Sequence, residues 1–361
     1  MLSNNSAERG SELPLNITTQ EVLARKNVTA AVSPTIAALL APALSAYDDG
    51  HYAEALDHAT SALSGMRTRA LESGGSEAWN HLIAEIRSTP LFDIAQLDPF
   101  TSHSFKKPRG YPGDALLLDW IYRDFRLLTR PQHDTEAARL YRETIDCGPA
   151  EAVRWRRQRL ADLIDDAAAT KPAARVLALA AGHLREADLS VALQRGHIGE
   201  VVALDQDKQS LAEINHRYAS NGMPITTVHA TIRDVIAGRY QIADFDLIYS
   251  AGLYDYLPAP VAEKLTTKLW TALNPGGQLV VTNFLHGSKD RGWMEALADW
   301  FLIYRDEGEI DAFANSIPAQ QIQRKHAYLC PTGSIGYLSL RKRCRNGAVD
   351  SNRELGCSGS A

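Results

Sequence analysis

Residues 174–207 read ARVLALAAGHLREADLSVALQRGHIGEVVALDQD, and their pattern decides the fold. The unbroken apolar run Val176 to Ala180 is that of a strand buried on both faces, as in a parallel sheet covered by helices. Small residues Ala180, Ala181 and Gly182 allow a sharp turn that approaches a ligand closely. Leu184 to Gln194 then carries apolar residues at helical spacing. A second strand, Val201 to Leu204, closes on Asp205, whose carboxylate would stand at the carboxyl edge of the sheet, placed to accept both hydroxyls of a ribose. The unit is expected to hold an adenosine-containing ligand, with Ala180, Gly182, Asp205 and Gln206 as its contacts. The competing reading is a plain βαβ unit in which Asp205 only caps the following helix. GxGxxG is absent, since His183, Leu184, Arg185 and Glu186 follow Gly182, which argues against a nicotinamide dinucleotide.

A chain of 361 residues, 45% of them hydrophobic, can bury a sizeable core as one large domain or two. The formal net charge of -5, with both signs interspersed, gives no field for a polyanion, so nucleic acid is not an expected partner. Cys147, Cys330, Cys344 and Cys357 lack CxxC spacing and imply neither a metal site nor a disulfide framework. The N-terminus lacks the basic-then-apolar order of a signal peptide, and no apolar run reaches membrane-spanning length; the cytoplasm is the default location.

Residues 1–30 are polar and aperiodic and are expected to form a flexible arm. Residues 31–172 read as a helical cap domain, with Asp49-Gly50 and Gly74-Gly75 as breaks between helices. Within it, residues 100–125, FTSHSFKKPRGYPGDALLLDWIYRDF, set Lys106, Lys107 and Arg109 among Pro108, Gly110, Pro112 and Gly113 and are read as a structured loop leading into a helix. Asp114 suits a helix N-cap, and Arg109 and Tyr111 are candidates to reach a ligand, the loop serving as a lid. Arg154, Arg156, Arg157 and Arg159 are expected on a solvated helix face, with one of them available to a cleft.

Residues 173–342 are expected to form the α/β domain. After Asp205 come a helix over Gln209–Ser220, a strand over Ile225–His229, and a turn carrying Asp234 and Val235, read as adenine contacts, with a capping role for Asp234 as the alternative. The strand Phe245–Ser250 brings Ser250 to the cofactor edge and leads into Tyr254, Asp255 and Tyr256, where an acceptor should meet the cofactor. Tyr254 is read as pocket lining. Asn274-Pro275-Gly276-Gly277 turns into a fifth strand, Gln278–Phe284, placing Asn283 and His286 at the same edge. A helix over Trp293–Tyr304, a shorter one near Ile310–Ser316, and strands Ile322–Leu329 and Ile335–Leu340 complete the domain. Residues 343–361 read as a disordered tail.

With its acidic second strand, PGG turn and terminal hairpin in this order, 173–342 resembles the class I S-adenosylmethionine-dependent methyltransferases, whose Rossmann-like sheet ends in an antiparallel hairpin. Dinucleotide dehydrogenases usually continue with another parallel repeat. The KPRGYPGD loop, Trp300-Phe301-Leu302-Ile303-Tyr304-Arg305 and Thr332-Gly333 are similar to a bacterial family linked to biosynthesis of 3-hydroxypalmitic acid methyl ester, over residues 85–342. The resemblance implies S-adenosyl-L-methionine as cofactor, a small-molecule acceptor, and O-methylation of a carboxylate. An ionised carboxylate needs orientation and no general base, and Arg109, Tyr111 and Tyr254 are the candidates to orient it. A phenol or ammonium acceptor would need a base, His286 or Asp255. A long acyl acceptor predicts an apolar channel under the N-terminal helices. The chain departs from the usual turn at Ala178 and Ala180, and an alanine at 180 is tolerable only if its backbone avoids the left-handed region. An N- or phenol O-methyltransferase, and a non-catalytic module of the same fold, remain the alternatives; a homodimer is open.

Overall fold

The computed structural model describes residues 33–344. The expected arm, 1–30, and the expected tail, apart from Arg343 and Cys344, lie outside the described residues. The chain divides into two compact units: one contains the N-terminal helices through Cys147 together with Lys289–Phe301, the other Gly148–Ser288 and the segment from Leu302 onward.

In the helical unit, α1 (Pro34–Asp48) starts on Ser33, whose hydroxyl accepts the Thr35 N–H, with proline in the first turn where no amide is missed. α2 (Tyr52–Ile86) kinks at Gly74 and Gly75, the break expected there, Gly75 taking φ 65°. Short helices α3 (Pro90–Leu97), α4 (Pro99–Lys106), α5 (Ala115–Tyr122) and α6 (Glu136–Thr144) follow. Leu40, Leu63, Met66, Trp79, Ile83 and Ile86 form its core with Ala296 and Leu297 of the late segment. A Cβ on Gly292 would lie 2.6 Å from the backbone carbon of Leu63, so only glycine lets this segment approach α2 so closely. The segment was expected to be one helix over Trp293–Tyr304. It is helical only as α8 (Arg291–Ala296), because Asp299 takes a positive φ and its carboxylate is drawn to Arg87 and Lys107.

The second unit opens with a long helix, α7 (Gly148–Thr170), which lies within the expected cap, 31–172, but packs on the sheet and groups with it. Its buried stripe includes Ala152, Val153, Leu160 and Leu163. The strands are β1 (Ala174–Leu179), β2 (Ile198–Asp205), β3 (Ile225–His229), β4 (Phe245–Ser250), β5 (Leu273–Phe284), β6 (Ile322–Leu329) and β7 (Ile335–Lys342). They form one sheet in the order β3-β2-β1-β4-β5-β7-β6. β1 through β5 pair in parallel, and β7 enters antiparallel between β5 and β6. This is the Rossmann-like class I methyltransferase sheet with its terminal hairpin. Leu177, Leu179, Ile248, Leu265, Leu269, Leu279, Val281 and Leu338 fill one side of it. The helix expected over Leu184–Gln194 is instead a 3-10 turn, Arg185–Asp188, and a single α turn, Val191–Gln194, capped by Ser190. Between β1 and β4 the order in which the chain adds parallel strands reverses, the place where such sheets open a crevice at their carboxyl edge.

Candidate functional site

Beyond β1 the backbone takes a positive φ at every second residue: 56° at Ala180, 54° at Gly182, 52° at Leu184. Ala180 thus occupies the left-handed region that the sequence reading required it to avoid, at a cost of roughly 1 kcal/mol. The turn is tied to the end of β2, the Ala181 N–H donating to the Leu204 carbonyl at 3.2 Å and the Gly182 N–H to Asp205 Oδ2 at 2.8 Å. Asp205 Oδ1 accepts the Asp207 N–H at 2.8 Å. Burial raises the Asp205 pKa, against the backbone hydrogen bonds that favour its charged form. A carboxylate offers about four acceptor positions, so capacity remains for a ligand hydroxyl. Asp205 therefore does more than cap the next helix, whose N-cap is Asp207. Gln206 follows it, exposed at the same edge.

Ser250 is fully buried and donates its hydroxyl to the Leu179 carbonyl at 3.0 Å, joining the ends of β1 and β4. Tyr249 donates to Glu186 Oε1 at 2.7 Å. Above the β4 end lies Arg156 of α7, only 4% exposed, with Nη2 3.5 Å from where a Cβ on Gly252 would stand. Its Nη1 is buried with no hydrogen-bond partner among the described residues. Asp255 accepts the Phe284 N–H at 2.6 Å, and burial pushes its pKa up to about 7 although Arg156 and Arg305 pull it back. Arg305, itself buried, binds the Tyr254 carbonyl at 2.9 Å and also Asn283 and the Leu257 carbonyl. Asn283 in turn donates to the carbonyls of Phe284 and Ile303, so its amide holds the edge together.

Other expected site residues have partners of their own. Tyr254 is a core residue: its ring packs on Phe313 and its hydroxyl meets Thr266 at 2.9 Å inside the domain. It lines no open pocket. His286 stands 3.6 Å from Glu309, both side chains more than half exposed, in a surface pair. Asp234 is the third residue of a capping box with Thr231, and Arg239 donates to its other oxygen at 2.7 Å. The Thr231 hydroxyl first, then Arg239, hold its pKa down to about 2. Val235 is wholly within the core cluster and presents no face to a ligand. The carboxylate and side chain read as adenine contacts are thus engaged in capping and packing.

Arg109 and Tyr111 belong to the helical unit, on the loop between α4 and α5. Asp114 caps α5 through the Leu117 N–H and also holds His103, and Lys107 reaches Asp299. The loop is thereby pinned at both ends. That unit contains an apolar cavity of about 20 Å³ lined by Tyr47, Tyr52, Leu91, Ile94, Leu140 and Trp293, room for little more than a water. An acyl chain does not fit in it.

Glu186 carries no role in the sequence reading, and Arg156 enters it only as one of four arginines on a solvated face, one of them available to a cleft. The signal for Arg156 was its register, since it falls on the stripe Ala152, Val153, Leu160 at helical spacing, inside rather than on a solvated face. Among the described residues no group of His, Cys, Asp and Glu could hold a metal ion, and no helix is long and apolar enough to cross a membrane.

A family described as a methyltransferase domain matches residues 176–277, from the first buried residues of β1 to the PGG turn. No curated protein matches the chain. Among solved structures, a possible exported protein from Bordetella parapertussis is similar at TM-score 0.53 and 16% identity, covering 68% of this chain and 86% of its own. The N-methyltransferase NodS from Bradyrhizobium japonicum WM9, in complex with S-adenosyl-L-homocysteine, is similar at TM-score 0.39 and 13% identity over 52% of this chain and 87% of its own. Magnesium protoporphyrin IX methyltransferase (ChlM) from Synechocystis PCC 6803, also with S-adenosyl-L-homocysteine bound, gives 0.40 and 11% over 54% and 86%. Residues 176–277 match a methyltransferase domain, and the sheet has the topology of the class I methyltransferase fold, whose cofactor is S-adenosylmethionine. The polar groups fit such a ligand, with a carboxylate at the β2 end and, above the β4 end, a buried guanidinium nitrogen that has no hydrogen-bond partner among the described residues.

Proposed function

We propose that the protein transfers the methyl group of S-adenosylmethionine to a small-molecule acceptor at the carboxyl edge of the sheet, with a carboxylate as the acceptor group and a methyl ester as product. The observation that carries the cofactor half is Asp205, buried at the end of β2 and bound to the Gly182 amide, with acceptor capacity to spare for a ribose. When bound, the sulfonium supplies an activated methyl group. The residues of this chain then have to align the acceptor with it and keep water out. An ionised carboxylate attacks directly, so the engagement of Tyr254 in the core and of His286 with Glu309 takes nothing from this reading. Arg109 and Tyr111 are proposed to orient the acceptor carboxylate.

Asp255 supports a second reading. It is a buried carboxyl at the same edge with a pKa near neutrality, suited to take a proton from a phenol or an ammonium. Incubation with labelled S-adenosylmethionine and panels of acids, phenols and amines separates the two. Carboxyl transfer gives a product that releases methanol in base and a rate flat through pH 7. Phenol or amine transfer gives a base-stable product and a rate that falls as the pH drops below about 7. No transfer to any panel would count against both.

A further inference from the structure

Resting on the cofactor reading above, we infer that Arg185 and Asp188 are positioning residues, whose ion pairs to a single helix hold the Ala180–Leu184 turn in the shape that receives the cofactor. Neither has to touch the ligand. A positive φ is ordinarily left to glycine, yet of Ala180, Gly182 and Leu184, all in that region, only one is glycine. For an alanine or a leucine the left-handed shape is disfavoured by roughly tenfold or more. A turn left to itself would spend little time in it, and a ligand that needs this shape would bind more weakly in proportion to the missing population. The shape has to be imposed from outside the turn.

Arg185 and Asp188 are the first and last residues of the 3-10 turn that follows directly, and both meet the helix Lys208–Arg217. Arg185 Nη1 donates to Glu213 Oε1 at 2.8 Å, and its Nη2 lies 3.3 Å from His183 Nδ1 inside the turn. Arg217 Nη2 donates to Asp188 Oδ1 at 2.7 Å. Glu213 and Arg217 stand one helical turn apart on the same face. The charges are crossed: the turn presents a cation and then an acid, the helix an acid and then a cation. Only one alignment satisfies both pairs, because exchanging partners would set Arg185 against Arg217 and Asp188 against Glu213. In the Arg185–Glu213 pair the side chains are only 1% and 10% exposed, so a turn that moved away would strand buried charges. The same helix begins just after Asp205, which accepts the Gly182 N–H at 2.8 Å. The turn is thus fastened at one side by Asp205 and at the other by Glu213 and Arg217.

Two measurements on the full chain test this: calorimetric titration with S-adenosylhomocysteine, and hydrogen exchange over residues 180–188 without ligand. Glu213→Gln should weaken binding by about tenfold and speed exchange across the turn. Arg217→Gln, which breaks the more exposed pair, should act in the same direction to a smaller extent, and it carries the test if Glu213→Gln does not fold. Ala180→Gly alone should change affinity by no more than about threefold, but added to either variant it should restore most of the loss, because glycine takes the left-handed shape without a clamp. Unchanged affinity in the folded variants overturns the inference, as does a loss without faster exchange. A loss that Ala180→Gly repairs by no more than its effect on the wild type also overturns it, and marks a structural role. Folded wild type that takes up no S-adenosylhomocysteine refutes the cofactor reading itself, and the inference falls with it.

Discussion

Asp255 shows what burial does to a single carboxyl. Its pKa, 3.8 in the ordinary case, is pushed up to about 7, chiefly because little water reaches it. Between those values the folded protein holds a proton that the unfolded chain releases. The group's stabilising contribution is therefore complete below about pH 4 and is lost as the pH rises toward 7. Asp255→Asn keeps an oxygen for the Phe284 amide and removes the titration, so denaturation profiles of the variant should lack that decline. The gain near pH 8 should be on the order of 2 to 4 kcal/mol. Equal slopes in both proteins would show that the carboxyl titrates normally. At this scale the sequence was only partly legible. Asp205 could be read because a charged residue ending an apolar strand has little other use. Tyr254 could not, because whether an aromatic after a strand turns into the core or into the crevice depends on the helix it meets, here Thr266. Asp234 carried its own answer in Thr231-Ile232-Arg233-Asp234, the spacing of a capping box.

Strands were the most legible elements, since β3 and β4 fall at the residues their apolar runs predict, and the hairpin follows from two runs around Pro331-Thr332-Gly333. The turn after β1 was misread in its backbone. Two of its three left-handed positions, Ala180 and Leu184, are filled by residues that ordinarily avoid that region, a sign of strain held in place by the strand ends around it. Ala180→Gly should therefore stabilise the protein, by less than about 1 kcal/mol once the extra freedom of the unfolded chain is deducted, and should leave cofactor affinity equal or higher. A clear loss of stability in thermal melts would mean that the alanine sits comfortably. The α8 segment was misread differently: apolar residues at helical period can equally be packed as a short helix followed by extended chain, and the Asp299 pairs that end the helix are formed with distant residues.

For the whole molecule, the division into units was the least legible feature. The sequence boundary at 172 followed the end of helical periodicity, yet α7 groups with the sheet on which its stripe packs, and a late segment of 13 residues joins the helices. No local pattern marks a chain that leaves one core and returns. What secures that segment is Glu295, buried, accepting from Arg67 Nε and Trp79 Nε1, both at 2.7 Å. Glu295→Gln would leave Arg67 uncompensated and should destabilise the helical unit by on the order of 3 kcal/mol, read as a lower midpoint in denaturant. The same midpoint in both proteins would show that the pair contributes nothing. Whether the sheet edge at Asp205 holds S-adenosylmethionine is decided by calorimetric titration of the purified chain with S-adenosylhomocysteine beside Asp205→Ala. The wild type should bind saturably, and the variant more weakly by about 1 to 3 kcal/mol as the ribose hydrogen bonds are lost. Folded wild-type protein that takes up no ligand, or a variant that binds as tightly as the wild type, would contradict it.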